Sequence, residues 1–78
     1  MNEILISQLV PGEIATIAAL HCGSGFKNSL RSVGVTEGKK VRMVAKHPFS
    51  GPLVLEVERR QVTIGRGMSQ KIKVVKIP

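Results

Sequence analysis

The chain has 78 residues, 42% of them hydrophobic and 22% charged, and sets 12 Lys/Arg against five glutamates for a net charge of +7. A chain this short buries only about 60–65% of its unfolded surface, so one domain spanning residues 1–78 is expected, with little room for an enclosed substrate cavity. The composition excludes disorder, the apolar runs fall short of the roughly 18 residues of a membrane span, and the single cysteine, Cys22, excludes an intramolecular disulfide.

Ile4, Leu5, Ile6 and Leu9 open the chain. Leu5 and Leu9 are four apart, which predicts a short helical turn with both on one face. Pro11-Gly12 ends it in a turn. Residues 13–20 are the first strand candidate, weakly alternating because alanine suits either face. His21-Cys22-Gly23-Ser24-Gly25 is a loop in which Ser24 can cap the following helix. Phe26, Leu30 and Val33 then recur at i, i+4 and i+7, an apolar stripe that predicts a helix packed on the core, with Lys27, Asn28 and Arg31 in solvent. Gly34 stands where a left-handed residue ends a helix, and Val35 can fold back onto Leu30.

After a turn at Thr36–Lys39, Val41, Met43 and Ala45 alternate with Arg42, Val44 and Lys46, predicting a strand over 40–46. Pro48-Phe49-Ser50-Gly51-Pro52 is a stiff loop. Leu53, Leu55 and Val57 share one face of the returning strand, so the two strands form an antiparallel hairpin. Gln61–Ile64 is a further short strand, and residues 65–70 are a turn, at most one 3₁₀ turn. Lys71–Ile77 closes the chain, with a bulge placed near Val75 because Ile77 breaks the parity of Ile72 and Val74. Five short strands and one helix predict a mostly antiparallel β domain, closed into a small barrel that removes its edges.

The basic surface suits nucleic acid, anionic lipid or an acidic protein. With no Trp, no Tyr and only Phe26 and Phe49, the chain lacks the aromatic platforms of single-strand binders and of proline-rich peptide grooves. The start Met1-Asn2-Glu3-Ile4 has no basic segment followed by an apolar core, so no signal peptide is expected and the protein is placed in the cytoplasm.

Few residues suggest chemistry. His21, Cys22 and His47 are candidate metal ligands, but adjacent residues diverge along an extended chain and a closed structural zinc site needs four donors, so ordinary loop roles compete. Cys22 has no fixed base to make it a nucleophile. Glu56 and Glu58 share a strand face beside Arg59 and Arg60, which suits cross-strand ion pairing better than acid–base work. Gly23-Ser24-Gly25 lacks the Gly-Lys-Ser/Thr ending of a P-loop. The cations are scattered; Lys27, Arg31 and Arg42 are the candidate partner-binding residues.

Four segments together carry a resemblance: Leu9-Val10-Pro11-Gly12-Glu13, Leu30-Arg31-Ser32-Val33-Gly34-Val35-Thr36-Glu37-Gly38, Pro48-Phe49-Ser50-Gly51-Pro52 and Arg60-Gln61-Val62-Thr63-Ile64-Gly65-Arg66. In their order and spacing the chain resembles the FeoA family over about residues 5–77. The resemblance implies an SH3-like five-stranded barrel with one helix inserted after the first strand. It implies no enzymatic activity and no small-molecule substrate, but a partner: FeoB, the membrane GTPase that moves Fe²⁺. The same module occurs at the C-terminus of iron- and manganese-responsive repressors; with no winged-helix region here, a free-standing form is expected. Two segments depart from the family's pattern. Phe49-Ser50-Gly51-Pro52 replaces a Leu-Gly-Asp-Pro-like loop, and Gly65–Gln70 replaces an acidic helical stretch.

The reading is a cytoplasmic accessory protein that supports or regulates a FeoB-type transporter, itself not inserted in the membrane. No cofactor is required, with at most weak Fe²⁺ or other divalent transition-metal binding. The alternatives are a basic SH3-like nucleic-acid-binding module, which the aromatic count disfavours, and a direct transition-metal-binding regulatory module.

Overall fold

Alternation of apolar residues draws most of the chain into strands. In a computed structural model, which describes residues 2–77, the strands are β1 (Glu3–Leu5), β2 (Ile14–Leu20), β3 (Lys40–Lys46), β4 (Leu53–Val57), β5 (Arg60–Ile64) and β6 (Ile72–Ile77). They form one antiparallel sheet in the order β1-β6-β2-β3-β4-β5. Helix α1 (Ser24–Ser32) joins β2 to β3, and a one-turn helix, α2 (Arg66–Ser69), joins β5 to β6. The sheet curls until α2 lies against the 3₁₀ turn Ile6–Gln8 that follows β1. The inner face buries Ile17, Val41, Met43, Leu53, Leu55, Val57, Ile72 and Val74, with Leu30 of α1 and Ile6 and Leu9 of the N-terminal segment completing the core.

The mostly β architecture, with its helix after the first long strand, is the expected SH3-like one, with two differences in closure and a third in the last connection. The sheet carries a sixth strand, and β1 and β5 do not pair among the described residues, so the expected closure that removes the edges is not made. Residues 66–69 form a one-turn α-helix where a turn is expected. Where a helical turn is predicted from Leu5 and Leu9, the chain instead pairs Ile4 with Val74 and Leu5 with Lys73 before the 3₁₀ turn. That turn sends Ile6 and Leu9 into the core, and Leu5 stays half-buried. Pairing with β6 gives the backbone its hydrogen bonds, which outweighs a spacing signal of two leucines. The extra residue that adjusts parity is in β2: the register against β6 shifts between Ile17 and Ala19, not near Val75. Alanines at 18 and 19 let the strand shift there at little cost in buried surface.

Helix α1 begins at Ser24 itself, with extended Gly23 at the N-cap and no side-chain cap, so Ser24 does not cap it. Its C-terminus follows the expected pattern. The Val35 N–H donates to the Leu30 carbonyl at 2.8 Å and the Gly34 N–H to the Arg31 carbonyl at 3.0 Å, closing a Schellman motif around Gly34 at φ +91°.

Candidate functional site

The β4–β5 connection is a two-residue turn, Glu58-Arg59, with both residues at positive φ, and Val57 pairs with Arg60 across it. Such a turn matches strand twist but costs non-glycine residues about 1–2 kcal/mol each. Among the described residues β5 pairs with β4 alone, so it is one edge of the sheet, opposite to the β1 edge.

Between β5 and α1 runs a groove of about 300 Å³, lined by Phe26, Ser29, Leu30, Val33, Val62, Thr63, Ile64, Gly65 and Met68. Its wall is chiefly apolar. Phe26, expected in the core, is 55% exposed. Of the predicted stripe only Leu30 is buried, and Val33 is half-buried. Leu30 belongs to the core and also lines the groove, and Phe26 and Val33, one turn before and after it, line the groove with more exposed side chains. At the groove's hairpin end, the Arg60 guanidinium comes within 3.9 Å of where a Cβ on Gly34 would stand. At the other end Arg66 braces the β3–β4 loop, its Nε donating to the Gly51 carbonyl at 3.0 Å and its Nη2 to the His47 carbonyl at 2.9 Å. Phe49, in that loop, is fully exposed.

The three predicted partner-binding cations do not come together. Lys27 and Arg31 lie on the flank of α1 away from the groove, beside Glu37. The Glu37 carboxyl is held below its ordinary range, first by its own backbone N–H, then by the Thr36 hydroxyl and by the Lys27 and Arg31 charges. Arg42 is engaged across the sheet, its Nε 3.0 Å from Glu56 Oε1. Lys39 and Glu58 pair at 3.1 Å. The Arg42–Glu56 pair fulfils the cross-strand reading for Glu56, whereas Glu58 lies in the turn beyond β4, off the strand face expected for it, and pairs with Lys39 just ahead of β3. Both pairs are half in solvent, so each contributes about 0.2–1 kcal/mol. Glu13 is likewise pulled below its ordinary range by Lys76 at 2.7 Å and by the Val10 N–H.

His21 follows β2, its backbone N–H donating to the Lys71 carbonyl; Cys22 packs half-buried on the core; His47 follows β3. Among the described residues no three His, Cys or carboxylate side chains gather into a set that could hold a metal ion. Without such a set of donors, the melting temperature is expected to be unchanged by chelator. A fall of several degrees with EDTA, checked by circular dichroism, would contradict this.

A family model described as the FeoA domain matches residues 4–76. The chain belongs to the FeoA family. A Methanocaldococcus jannaschii relative with the provisional name Fe(2+) transport protein A is 29% identical over 63 residues, covering 81% of this chain and 74% of the relative. The crystal structure of an iron uptake regulatory protein (FeoA) superposes with a TM-score of 0.89 at 25% identity, over 97% of this chain and 100% of that one. A manganese-dependent transcriptional repressor shares the fold, with a TM-score of 0.86 at 20% identity, over 96% of this chain and 42% of the repressor. As for membranes, no helix among the described residues is long and apolar enough to cross one.

Proposed function

We propose that this FeoA-family chain is a non-enzymatic accessory protein of ferrous iron uptake. It works in the cytoplasm and docks through α1 and β5 onto the cytoplasmic portion of a FeoB-type membrane GTPase. The observation that carries the reading is the half-open apolar groove along an edge strand, on a chain of net charge +7. A small domain that leaves Phe26 and the groove wall uncovered has a surface suited to a partner. The family membership and the names of its relatives supply iron transport as the setting.

Glu13 and Glu37, whose carboxyls shift downward, are surface groups held by Lys76 and by backbone N–H groups, and neither lines the groove. Iron is cargo of the system in this reading, and the chain needs no resident metal.

Lys27 and Arg31 act at the rim, where charge mainly sets the association rate. Reversing both to glutamate places three carboxylates together with Glu37. It should leave the fold intact, weaken binding to the detergent-solubilised transporter several-fold, and flatten the salt dependence. Surface plasmon resonance at two ionic strengths checks this. Unchanged binding by the double variant would take this flank of α1 out of the interface and leave only its groove side. Absent transporter binding by the wild type, with tight salt-dependent RNA binding instead, would favour the nucleic-acid alternative.

A further inference from the structure

We propose that β5 accepts an extended segment of a partner chain as a seventh strand, its apolar side chains entering the groove beside α1 and a carboxylate meeting Arg60. This rests on the docking reading above and specifies its mode.

The backbone geometry carries the argument. A two-residue turn at Glu58-Arg59 makes Val57 and Arg60 a hydrogen-bonded pair. Alternation then makes Leu55↔Val62 and Leu53↔Ile64 hydrogen-bonded pairs as well, and points the N–H and C=O groups of Gln61 and Thr63 away from β4. No other backbone or side chain among the described residues bonds to those four groups. Both residues are exposed. They offer the donor–acceptor spacing of a strand edge.

Edges are normally blunted by brevity, proline, bulges or charge. The β1 edge is three residues long and runs straight into the 3₁₀ turn. In β5 the charge of Arg60 at its first residue is such a device, but Gln61 to Ile64 carry no charge, proline or bulge. The groove follows the same edge, since four consecutive residues, Val62 to Gly65, line it. A strand added there would point alternate side chains the same way as Val62 and Ile64, onto Phe26, Val33 and Met68.

Charge selects the occupant. Arg60 shares the face of Val62 by strand parity and forms no ion pair with a carboxylate among the described residues. A second copy of this chain would bring another +7 to the edge. An acidic segment with alternating apolar residues meets both the groove and its cation.

The probe is an acetylated heptapeptide of alternating glutamate and valine, titrated into ¹⁵N-labelled protein. The Gln61 and Thr63 amides should shift most. Thr63→Pro removes only an outward N–H, which an edge strand tolerates, and should weaken binding at least about fivefold. Two N-methylated peptides test the same point without altering the protein. Methylation of the amides on one alternate set should abolish binding, and methylation of the other set should spare it. Lysine in place of glutamate should abolish it. Equal binding by both methylated peptides, shifts centred away from β5, or a dimer that the peptide cannot displace would overturn strand addition. Equal capture of the transporter by wild type and Thr63→Pro would sink strand addition and leave the docking reading. Peptide binding without transporter capture would do the reverse.

Discussion

Leu55→Asp should leave no folded protein. Leu55 is fully buried in the middle of β4, opposite Met43 on β3 and Val62 on β5. The core around it is formed by Ile17, Val41, Leu53, Val57, Ile72 and Val74, and supplies no cation or hydrogen-bond donor. A carboxylate there loses its hydration without a partner, a cost of several kcal/mol. A domain of this size has about 4–12 kcal/mol in total. Leu55→Ala is the milder test, with about 2–5 kcal/mol lost to transfer and cavity terms. Circular dichroism and a ¹H–¹⁵N spectrum decide the matter. A dispersed spectrum and a cooperative melt for Leu55→Asp would mean that β4 is not central to the core.

Gly34→Val should cost roughly 2–4 kcal/mol. The left-handed φ of +91° charges a β-branched residue about 1–2 kcal/mol before any contact is counted. A Cβ would also stand 3.2 Å from Glu58 Oε1 and 3.3 Å from Val57 Cγ1, and the two valine methyls lie further out still. Val57 is buried and cannot move aside freely. Gly12 provides the comparison, with a similar φ of +96° and open space around it. Gly12→Ala should cost only about 1 kcal/mol. In urea, Gly34→Val should lower the midpoint clearly with an unchanged slope, and the melting temperature should fall by about 10 °C or more. Equal losses at both glycines would remove the steric part of the explanation.

The strands of the sheet's middle were legible because burial on one face imposes strict alternation. Lys40–Lys46 and Leu53–Val57 show it plainly, and the Pro48–Pro52 loop between them makes the hairpin local. The Schellman end of α1 was legible for a similar reason, since Gly34 is placed one step after a periodic apolar run. Strand β1 was not, because three residues carry too little pattern and its partner, β6, lies about 70 positions away in sequence. The Glu58-Arg59 turn was hidden because it lacks the Asn-Gly or Asp-Gly signal, so β5 gave no sign of its edge position.

The groove was the largest omission. Phe26, Leu30 and Val33 repeat at helical spacing, and spacing alone assigns all three to the core; it also makes Val33→Asp an unfolding substitution. In the fold only Leu30 reaches the core, and an aspartate at half-buried Val33 could reach water. The opposing wall, Val62 and Met68, comes from elements more than 25 positions away, which periodicity cannot place. Arg60 and the loop-bracing Arg66 stand out in the sequence as the ends of a segment that carries the family resemblance, but nothing in the sequence places them at a groove or a loop.

The most direct measurement is a residue-resolved NMR titration of the labelled protein with the cytoplasmic portion of the FeoB-type transporter. Docking through α1 and β5 predicts line broadening or shifts confined to residues 26–33 and 60–68, weakening as salt rises. Perturbations centred on β2 and β6, or none at low salt, would contradict it.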